Sequence, residues 1–369
     1  MGIYISSLKD LRKVIGYRKY ENFECIVELE KIHLGYKVNV EVNGIVDEVE
    51  IFTFPKPERI FLNNWQSWGP ARVVSKDFSI DFPKELIQKF GFSASIMPEK
   101  YFNSLVSDYF IASDNFVIGS LQSKIGHPFF ELSKDSINVK LKFFGKSFDG
   151  WTKVESFVVL YENPDIALPY YADLVAKENN ANYKRYNPIG WSSWYQYFLD
   201  FDYNKMISDL EKSYGYGYEV FQIDDAWERD IGDWEVNERF PSLEEVASKI
   251  KEYGYTPGVW LAPFSVAETS DLFKNHPEWI VKDNNGNPIV AYENWNKKIY
   301  ALDTTHPEAQ KWLLNLFIDL KSKGFDYFKI DFLFAGAIQG KRYLNVTPVE
   351  AYRIGMETIR KATGDSFVL

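Results

Sequence analysis

The feature that most constrains the fold of this chain is a change in the spacing of its apolar residues near Pro188. Between about residue 20 and residue 165, short segments such as ECIVELE and KVESFVVLY alternate in polarity and are separated by turn residues. After Pro188, strand-like apolar segments alternate with helical segments. The first pattern is typical of an antiparallel β-sandwich, and the second of a parallel sheet with crossover helices. The sequence therefore predicts two domains of different architecture.

The predicted domains are an N-terminal β-sandwich at residues 1–165, a linker at 166–187 and a (β/α)8 TIM barrel at 188–369. Five barrel strands are expected, at residues 189–194, 218–227, 255–264, 298–303 and 326–332. The final residues, GDSFVL, read as the opening of a sixth strand. Because a barrel of this kind closes with eight strands, we expect an incomplete barrel of the first five to six units, in a fragment of a longer protein.

A barrel is favoured over an open, doubly wound sheet by where the polar residues fall. No G-x-G-x-x-G or P-loop sequence follows any of the predicted strands, which argues against a nucleotide-binding open sheet. Polar residues instead follow several strands: Ser192, Ser193, Asp224, Asp225, Asp303 and Asp331. A (β/α)8 barrel builds its active site from the carboxyl ends of its strands.

Charge and composition exclude several classes of function. The formal net charge is −10, which argues against nucleic acid and against an anionic membrane surface as partners. Cys25 is the only cysteine, so there is no intrachain disulfide framework. The N-terminus lacks the apolar core of a signal peptide, and we expect a cytoplasmic protein. The four His residues are dispersed, and neither a metal nor a cofactor is expected.

The segment DYFKIDFLF, residues 326–334, is an apolar strand with two charges inside it. Residues two apart share a face of a strand, so Tyr327, Lys329 and Asp331 point to one side. A lysine a few ångströms away favours the ionised form of a carboxyl group. The pattern indicates a carboxylate that serves as a nucleophile. The alternative is a buried ion pair without a catalytic role, which would add little stability.

A second set of candidate residues follows other predicted strands. Asp224 and Asp225 in FQIDDAW are adjacent carboxylates that can bind hydroxyl groups or a metal, although such pairs also occur as helix caps or in loops. Trp191 in GWSSW and Trp260 in GVWLAPF lie on two other predicted strands. Aromatic residues make up 17% of the chain, and a Trp beside carboxylates suits a sugar ring, although a single Trp is more often part of the core.

Five segments together resemble the α-galactosidases of glycoside hydrolase family 36: NNWQSWGP, GWSSW, FQIDDAWE, GVWLAPF and YFKIDFLFAGA. The resemblance spans nearly the whole chain and implies an N-terminal β-sandwich followed by a (β/α)8 barrel. It implies that Asp331 is the nucleophile and that Asp224 and Asp225 bind the C4 and C6 hydroxyls of galactose. Lys329 is then expected to reach ring hydroxyls. Pocket walls are expected from Trp65, Trp191 and Trp260.

The chemistry that this resemblance implies is retaining hydrolysis through a covalent glycosyl-enzyme on Asp331. The second carboxyl group, the general acid/base, is expected on the loop after the sixth barrel strand. It is therefore absent from this chain, and no role of this kind is assigned to Asp365. We expect the chain to be inactive alone and its parent protein to be active.

The expected substrates are galactosides such as melibiose and raffinose. The alternatives within the same chemistry are a transglycosidase of the raffinose synthase type and an α-N-acetylgalactosaminidase. An alternative from another class is a noncatalytic sugar-binding protein, but such a protein has no need of the paired Lys329 and Asp331. Homo-oligomerisation is compatible with the family, although nothing in the sequence defines an interface.

Overall fold

The computed structural model describes residues 3–64, 71–78, 105–181 and 187–369. These residues form two compact units. The first contains the described residues up to 181 together with 346–350, and the second contains 187–345 and 351–369. Trp65, one of the predicted site residues, lies outside the described residues.

The first unit is built on a ten-stranded sheet. Its strands are β1 (Ile3–Tyr4), β2 (Gly16–Lys19), β3 (Phe23–Ile32), β4 (Gly35–Pro55), β5 (Arg59–Asn64), β6 (Arg72–Ser75), β7 (Leu105–Ser113), β8 (Phe116–Ser120), β9 (His127–Leu132) and β10 (Ser136–Leu160). The main path runs β2-β3-β4-β10-β8-β7-β5-β6, and β9 pairs with both β10 and β7. The pairings are antiparallel apart from β1 with β4, so the prediction of an N-terminal antiparallel β domain is confirmed.

Alternating apolar residues on β4 explain how this sheet encloses a core. Val38, Val40 and Val42 are fully buried, while the residues between them are partly exposed. This period of two directs every second side chain into the core. The long strands β4 and β10 pair through most of their length, with register shifts that mark bulges. Such bulges bend a strand and increase its twist.

The predicted linker is largely a helix of the first unit. Helix α1 (Pro164–Glu178) begins at Asn163, whose side chain accepts a hydrogen bond from the Ile166 backbone N–H. Tyr171 on α1 packs against β8, and its hydroxyl donates a 2.6 Å hydrogen bond to the Ser120 carbonyl oxygen. Most of the segment expected as a linker is therefore a helix that packs on the sheet of the first unit.

The second unit contains three sheets. Its strands are β11 (Gly190–Ser192), β12 (Val220–Ile223), β13 (Glu228–Asp230), β14 (Asp233–Val236), β15 (Thr256–Leu261), β16 (Ser265–Ala267), β17 (Val290–Asn294), β18 (Lys297–Ala301), β19 (Tyr327–Ile330) and β20 (Phe367–Val368). Strands β11-β12-β15-β19-β20 form a parallel sheet, β13 and β14 form a hairpin, and β16-β18-β17 form an antiparallel sheet.

The helices after α1 are α2 (Trp194–Tyr197), α3 (Tyr203–Ser213), α4 (Leu243–Glu252), α5 (Asp271–Asn275), α6 (Pro307–Ser322) and α7 (Pro348–Thr363). Short 3-10 turns cover Leu8–Val14, Pro277–Trp279 and Leu333–Ala337. Helices α3 and α4 each begin after a residue whose side chain caps the first turn. In α4, Ser242 caps the first turn and Leu243, Val246 and Ile250 are buried. Among the described residues, no helix has the length and apolar content to cross a membrane.

One expected barrel strand is wrong. Residues 298–303 were expected in the parallel sheet, but β18 pairs antiparallel with β16 and β17. The cause is a tight turn between β17 and β18, where Trp295 and Asn296 both have positive φ, at 52° and 57°. Two central residues with positive φ form the turn that suits an antiparallel hairpin. As a result, β20 is the fifth strand of the parallel sheet and not the sixth.

The parallel sheet has a register that brings polar side chains to one place. Ser192, Gln222, Gly258 and Tyr327 stand side by side across β11, β12, β15 and β19. A Cβ atom at Gly258 would lie 3.0 Å from the Gln222 Cβ and 3.1 Å from the Tyr327 ring. Because Gly258 has no side chain, there is room for the side chains of Gln222 and Tyr327 on its two sides.

Candidate active site

The predicted acidic residues lie at the carboxyl ends of two parallel strands. Strand β12 ends at Ile223 and is followed by Asp224 and Asp225, and β19 ends at Ile330 and is followed by Asp331. Because parallel strands end at the same edge of a sheet, this edge collects the polar groups that follow them.

Asp224 is the most completely enclosed of these carboxylates. It is 1% exposed. Its Oδ2 accepts hydrogen bonds from the Gln222 Nε2 at 2.5 Å, the Lys329 Nζ at 2.8 Å and the Ser192 Oγ at 3.3 Å. The backbone N–H of Asp225 donates to its Oδ1 at 3.0 Å. Buried carboxylates are stable only with such partners, and these donors hold Asp224 in one orientation.

Lys329 stands between two carboxylates, and its nearer partner is Asp224. The Lys329 Nζ is 2.8 Å from the Asp224 Oδ2 and 4.0 Å from the Asp331 Oδ2. The sequence led us to expect Asp331 as the main partner. The structure differs because the side chain of Lys329, which points out of β19 on the same face as Tyr327, reaches across to the end of β12. The ammonium group therefore lies close to both Asp224 and Asp331.

Asp331 has an accessible carboxyl group. The Trp260 Nε1 donates to its Oδ2 at 3.2 Å, and the Phe332 backbone N–H donates to its Oδ1 at 2.8 Å. The side chain is 45% exposed. Phe332 has a φ of 51°, a conformation that is costly for a bulky residue and is often found at functional sites. Asp331 is thus oriented by two donors while part of its carboxyl group stays open to a ligand.

Asp225 and Glu228 form a carboxyl–carboxyl contact beside Asp224. Burial is the main cause that raises the pKa of Asp225, and hydrogen bonds from Glu228 and from Trp295 oppose it. Burial, and then the negative charge of Asp225, raise the pKa of Glu228 well above its ordinary value of 4.5. Two carboxyl groups can share a hydrogen bond only if one of them is protonated. Glu228 is the one that holds the proton.

Trp295 is a member of this cluster that sequence reasoning missed. Its Nε1 donates to the Asp225 Oδ2 at 2.8 Å, and its ring lies 5.2 Å from that of Phe332 and 6.3 Å from that of Trp260. Trp260 is 1% exposed, and its indole N–H is directed to Asp331. The aromatic side chains at the site therefore act partly as hydrogen-bond donors to carboxylates.

The structure does not bring Trp191 to this cluster. Ser192 points toward Asp224, so the preceding residue on β11 points to the opposite face of the sheet. The Trp191 ring stacks on Phe221, with centroids 4.1 Å apart, and also contacts Phe201. Trp191 is therefore a packing residue in this structure, and its expected place at the pocket wall is not supported.

The remaining groups suit a ligand with many hydroxyl groups. Ionised carboxylates accept hydrogen bonds from hydroxyls, an ammonium group donates to them, and indole rings face the apolar side of a ring-shaped ligand. Within the described ranges, no group of three or more His, Cys, Asp or Glu residues is arranged to hold a metal ion. The side chains of this site are of the types that a carbohydrate-binding site uses, and the Asp331 carboxyl group is accessible.

Comparison with known protein families agrees with this class. The family described as "Alpha-galactosidase, N-terminal" matches residues 28–161, and the family "Melibiase" matches residues 165–343. The chain belongs to the α-galactosidase-like proteins of glycoside hydrolase family 36.

Individual relatives are similar over limited stretches. The bifunctional α-galactosidase/sucrose kinase AgaSK of Mediterraneibacter gnavus is 28% identical over 154 residues, which is 39% of this chain and 16% of that protein. The α-galactosidase AgaA of Geobacillus stearothermophilus is 34% identical over 104 residues, which is 26% of this chain and 14% of that protein. The matched stretches are thus less than a fifth of these relatives.

Solved structures resemble nearly all of this chain. The α-galactosidase TtGalA from Thermus thermophilus, in complex with p-nitrophenyl α-D-galactopyranoside, aligns with a TM-score of 0.74 and 25% identity over 96% of this chain and 70% of that chain. The family 36 α-galactosidase AgaA from Geobacillus stearothermophilus aligns with a TM-score of 0.61 and 16% identity over 92% of this chain and 52% of that chain. At 16% identity, the similarity to AgaA shows a shared fold only.

A double-mutant cycle tests the arrangement around Lys329. Lys329→Met leaves Asp224 buried without its cation, and we expect a loss of about 3–5 kcal/mol in the free energy of unfolding. The coupling energy between Lys329→Met and Asp224→Asn should be larger than that between Lys329→Met and Asp331→Asn, since Asp331 is more distant and more exposed. Urea unfolding measures all of these values. Equal coupling energies would contradict the arrangement.

The proton on Glu228 makes stability depend on pH. A carboxyl group whose folded-state pKa is raised binds its proton more tightly in the folded state. Stability is therefore fully present below the unfolded pKa and is lost as pH rises through the folded pKa. Glu228→Gln should flatten this decline, and the exposed Glu235→Gln on the same hairpin should leave it unchanged. Unfolding free energies measured across the pH range check this, and identical slopes in all three proteins would refute it.

Proposed function

We propose that this chain carries the nucleophile and the galactose-binding groups of a retaining α-galactosidase. Asp331 attacks the anomeric carbon and forms a covalent glycosyl-enzyme. Asp224, Asp225 and Lys329 bind ring hydroxyls, and Trp260 orients Asp331 while forming part of the wall. The observation that carries this proposal is the placement of the open Asp331 carboxyl group beside the Lys329–Asp224 ion pair.

The architecture that we propose for the second unit is the first part of a (β/α)8 barrel. In support of this, five parallel strands lie in chain order, and polar groups collect after β12 and β19. In a barrel, the carboxyl ends of the strands surround a single pocket. The residues that bind the sugar and the residue that attacks it then face the same ligand. For the N-terminal domain, we propose a sandwich in which β4 and β10 bend to serve both layers.

The general acid/base is proposed to come from a residue after Leu369. Retaining hydrolysis needs a second carboxyl group, first as an acid for the leaving group and then as a base for water. The family resemblance places it after the sixth barrel strand, and β20 is the fifth parallel strand here. Asp365 precedes β20 and is exposed, and we assign it no catalytic role.

The proposed substrates are terminal α-linked galactosides such as melibiose and raffinose. Solved structures of TtGalA contain p-nitrophenyl α-D-galactopyranoside and stachyose. The two carboxylates and the lysine present the acceptors and the donor that such a sugar ring requires. A transglycosidase would use the same residues for its first step.

Trapping the glycosyl-enzyme tests this function on the chain itself. p-Nitrophenolate leaves without help from an acid, so Asp331 can react with p-nitrophenyl α-D-galactopyranoside even where the acid/base is lacking. We expect one equivalent of p-nitrophenol per chain, and peptide mass spectrometry should find one hexosyl group on Asp331. Asp331→Asn should abolish both signals, while Asp365→Asn should retain both.

Two results would count against the proposal. Absence of the hexosyl group, or its attachment at another residue, would remove Asp331 as the nucleophile. Sustained release of many equivalents of p-nitrophenol would show that the chain contains its own general base, and would overturn the proposed position of the acid/base after Leu369.

A further inference from the structure

We propose that Trp295 is a positioning residue, whose indole N–H fixes Asp225 for recognition of the sugar hydroxyls while its ring supports the backbone that follows Asp331. This inference rests on the proposed function and extends it to a residue in the β17–β18 hairpin. Trp295 takes no part in bond cleavage. Its effect falls on the affinity for galactose and on the selectivity against other sugars.

The first argument is the conformation of the hairpin turn. Trp295 has a φ of 52°. A bulky residue in this region is unfavourable by about 1–2 kcal/mol, and a glycine would avoid the cost. A turn alone gives no reason for an indole at this position. The hydrogen bond between the Trp295 Nε1 and the Asp225 Oδ2, at 2.8 Å, gives the side chain a specific partner.

The second argument is the surroundings of Asp225. This residue is 4% exposed. The titratable groups that face it are the Asp224 carboxylate from the same chain segment, Glu228 from β13 and the Tyr292 hydroxyl from β17. None of these groups is a permanent cation. The indole N–H of Trp295 is therefore a donor that holds the Asp225 carboxyl group in place without depending on pH.

The third argument is the link from Trp295 to Asp331. The Trp295 ring contacts Phe332, and Phe332 donates its backbone N–H to the Asp331 Oδ1. Phe332 also stacks on Tyr292, with ring centroids 5.0 Å apart and planes 5° apart. Phe332 has a strained φ of 51°, so it needs support from its neighbours. One side chain on the hairpin thus contacts both the sugar-binding end and the reacting end of the site.

The consequence for binding follows from the chemistry of carboxylates. An ionised Asp225 can accept hydrogen bonds from two adjacent hydroxyls only if its oxygens have a fixed direction. Without the indole donor, the carboxyl group loses a partner that favours its charged form. The pH below which galactose binding weakens should therefore rise. A sugar that differs in the configuration of one hydroxyl should then be rejected less strongly.

The experiment compares two variants that each lose one polar atom from the same hairpin. Trp295→Phe keeps an aromatic ring and removes the N–H group. Tyr300→Phe on β18 is the matched control, because it keeps its ring, which packs with Phe273 in a separate hydrophobic cluster, and loses only its hydroxyl group. Calorimetric titration with D-galactose, and with its C4 epimer D-glucose, across the acidic pH range gives the affinities. Both sugars are uncharged, so any pH dependence belongs to the protein.

We expect Trp295→Phe to weaken galactose binding about tenfold, as for loss of one hydrogen bond to a charged group. Its selectivity for galactose over glucose should fall, and the acidic limit of binding should move to higher pH. Tyr300→Phe should match the unsubstituted chain in all three measurements. Unfolding curves are recorded for both variants, so that a general loss of folding is recognised.

Each other outcome identifies what is wrong. If the unsubstituted chain binds no galactose, the proposed function fails, and this inference fails with it. If the chain binds galactose and Trp295→Phe binds it equally well with the same pH limit, the positioning role alone is overturned. If both variants weaken binding equally, or if Trp295→Phe weakens it without moving the pH limit, the contribution of Trp295 is packing, and the role of its N–H group is refuted.

Discussion

The ammonium group of Lys329 is the interaction on which the rest of the site depends. It lies 2.8 Å from the buried Asp224 and 4.0 Å from the open Asp331. A buried carboxylate without a cation is strongly unfavourable, and the other acidic groups lie close to it in sequence or in space. One lysine on β19 therefore compensates the charges of both Asp224 and Asp331 at one edge of a parallel sheet. The open carboxyl group can then be presented to a ligand without loss of the fold.

Aromatic residues impose a second constraint, which is on the direction of the carboxyl groups. Trp260 donates to Asp331, Trp295 donates to Asp225, and the Trp227 indole donates to the Trp260 carbonyl oxygen at 2.9 Å. The indoles of Trp260 and Trp295 fix the directions of two carboxyl groups, and the indole of Trp227 holds the backbone of Trp260. Because low exposure strengthens hydrogen bonds, a small shift of one ring would alter the direction of an acidic group. The same indole side chains thus provide both packing contacts and hydrogen bonds at the site.

The sequence predicts the parts of this site that follow local rules. Asp331, Lys329 and Asp224 are charged residues in or after apolar strands, and a period of two places Lys329 and Asp331 on one face. The antiparallel N-terminal domain follows in the same way from alternating polarity. We expected Trp191 at the pocket, but the register of β11 with β12 decides which side chains of β11 point to the site. We assigned β18 to the wrong sheet because the polarity pattern of an amphipathic strand is the same in a parallel and in an antiparallel sheet. The tight turn at Trp295 and Asn296 decides that β18 pairs with β17, and Trp295 was missed for the same reason.

The most direct measurement is a crystal structure of this chain with D-galactose bound. We expect the anomeric carbon of the sugar to lie about 3–3.5 Å from a carboxylate oxygen of Asp331, the separation of a reactive arrangement. The hydroxyl groups on the opposite side of the ring should contact Asp224, Asp225 and Lys329. A galactose bound elsewhere, or bound at these residues with its anomeric carbon directed away from Asp331, would contradict the central claim.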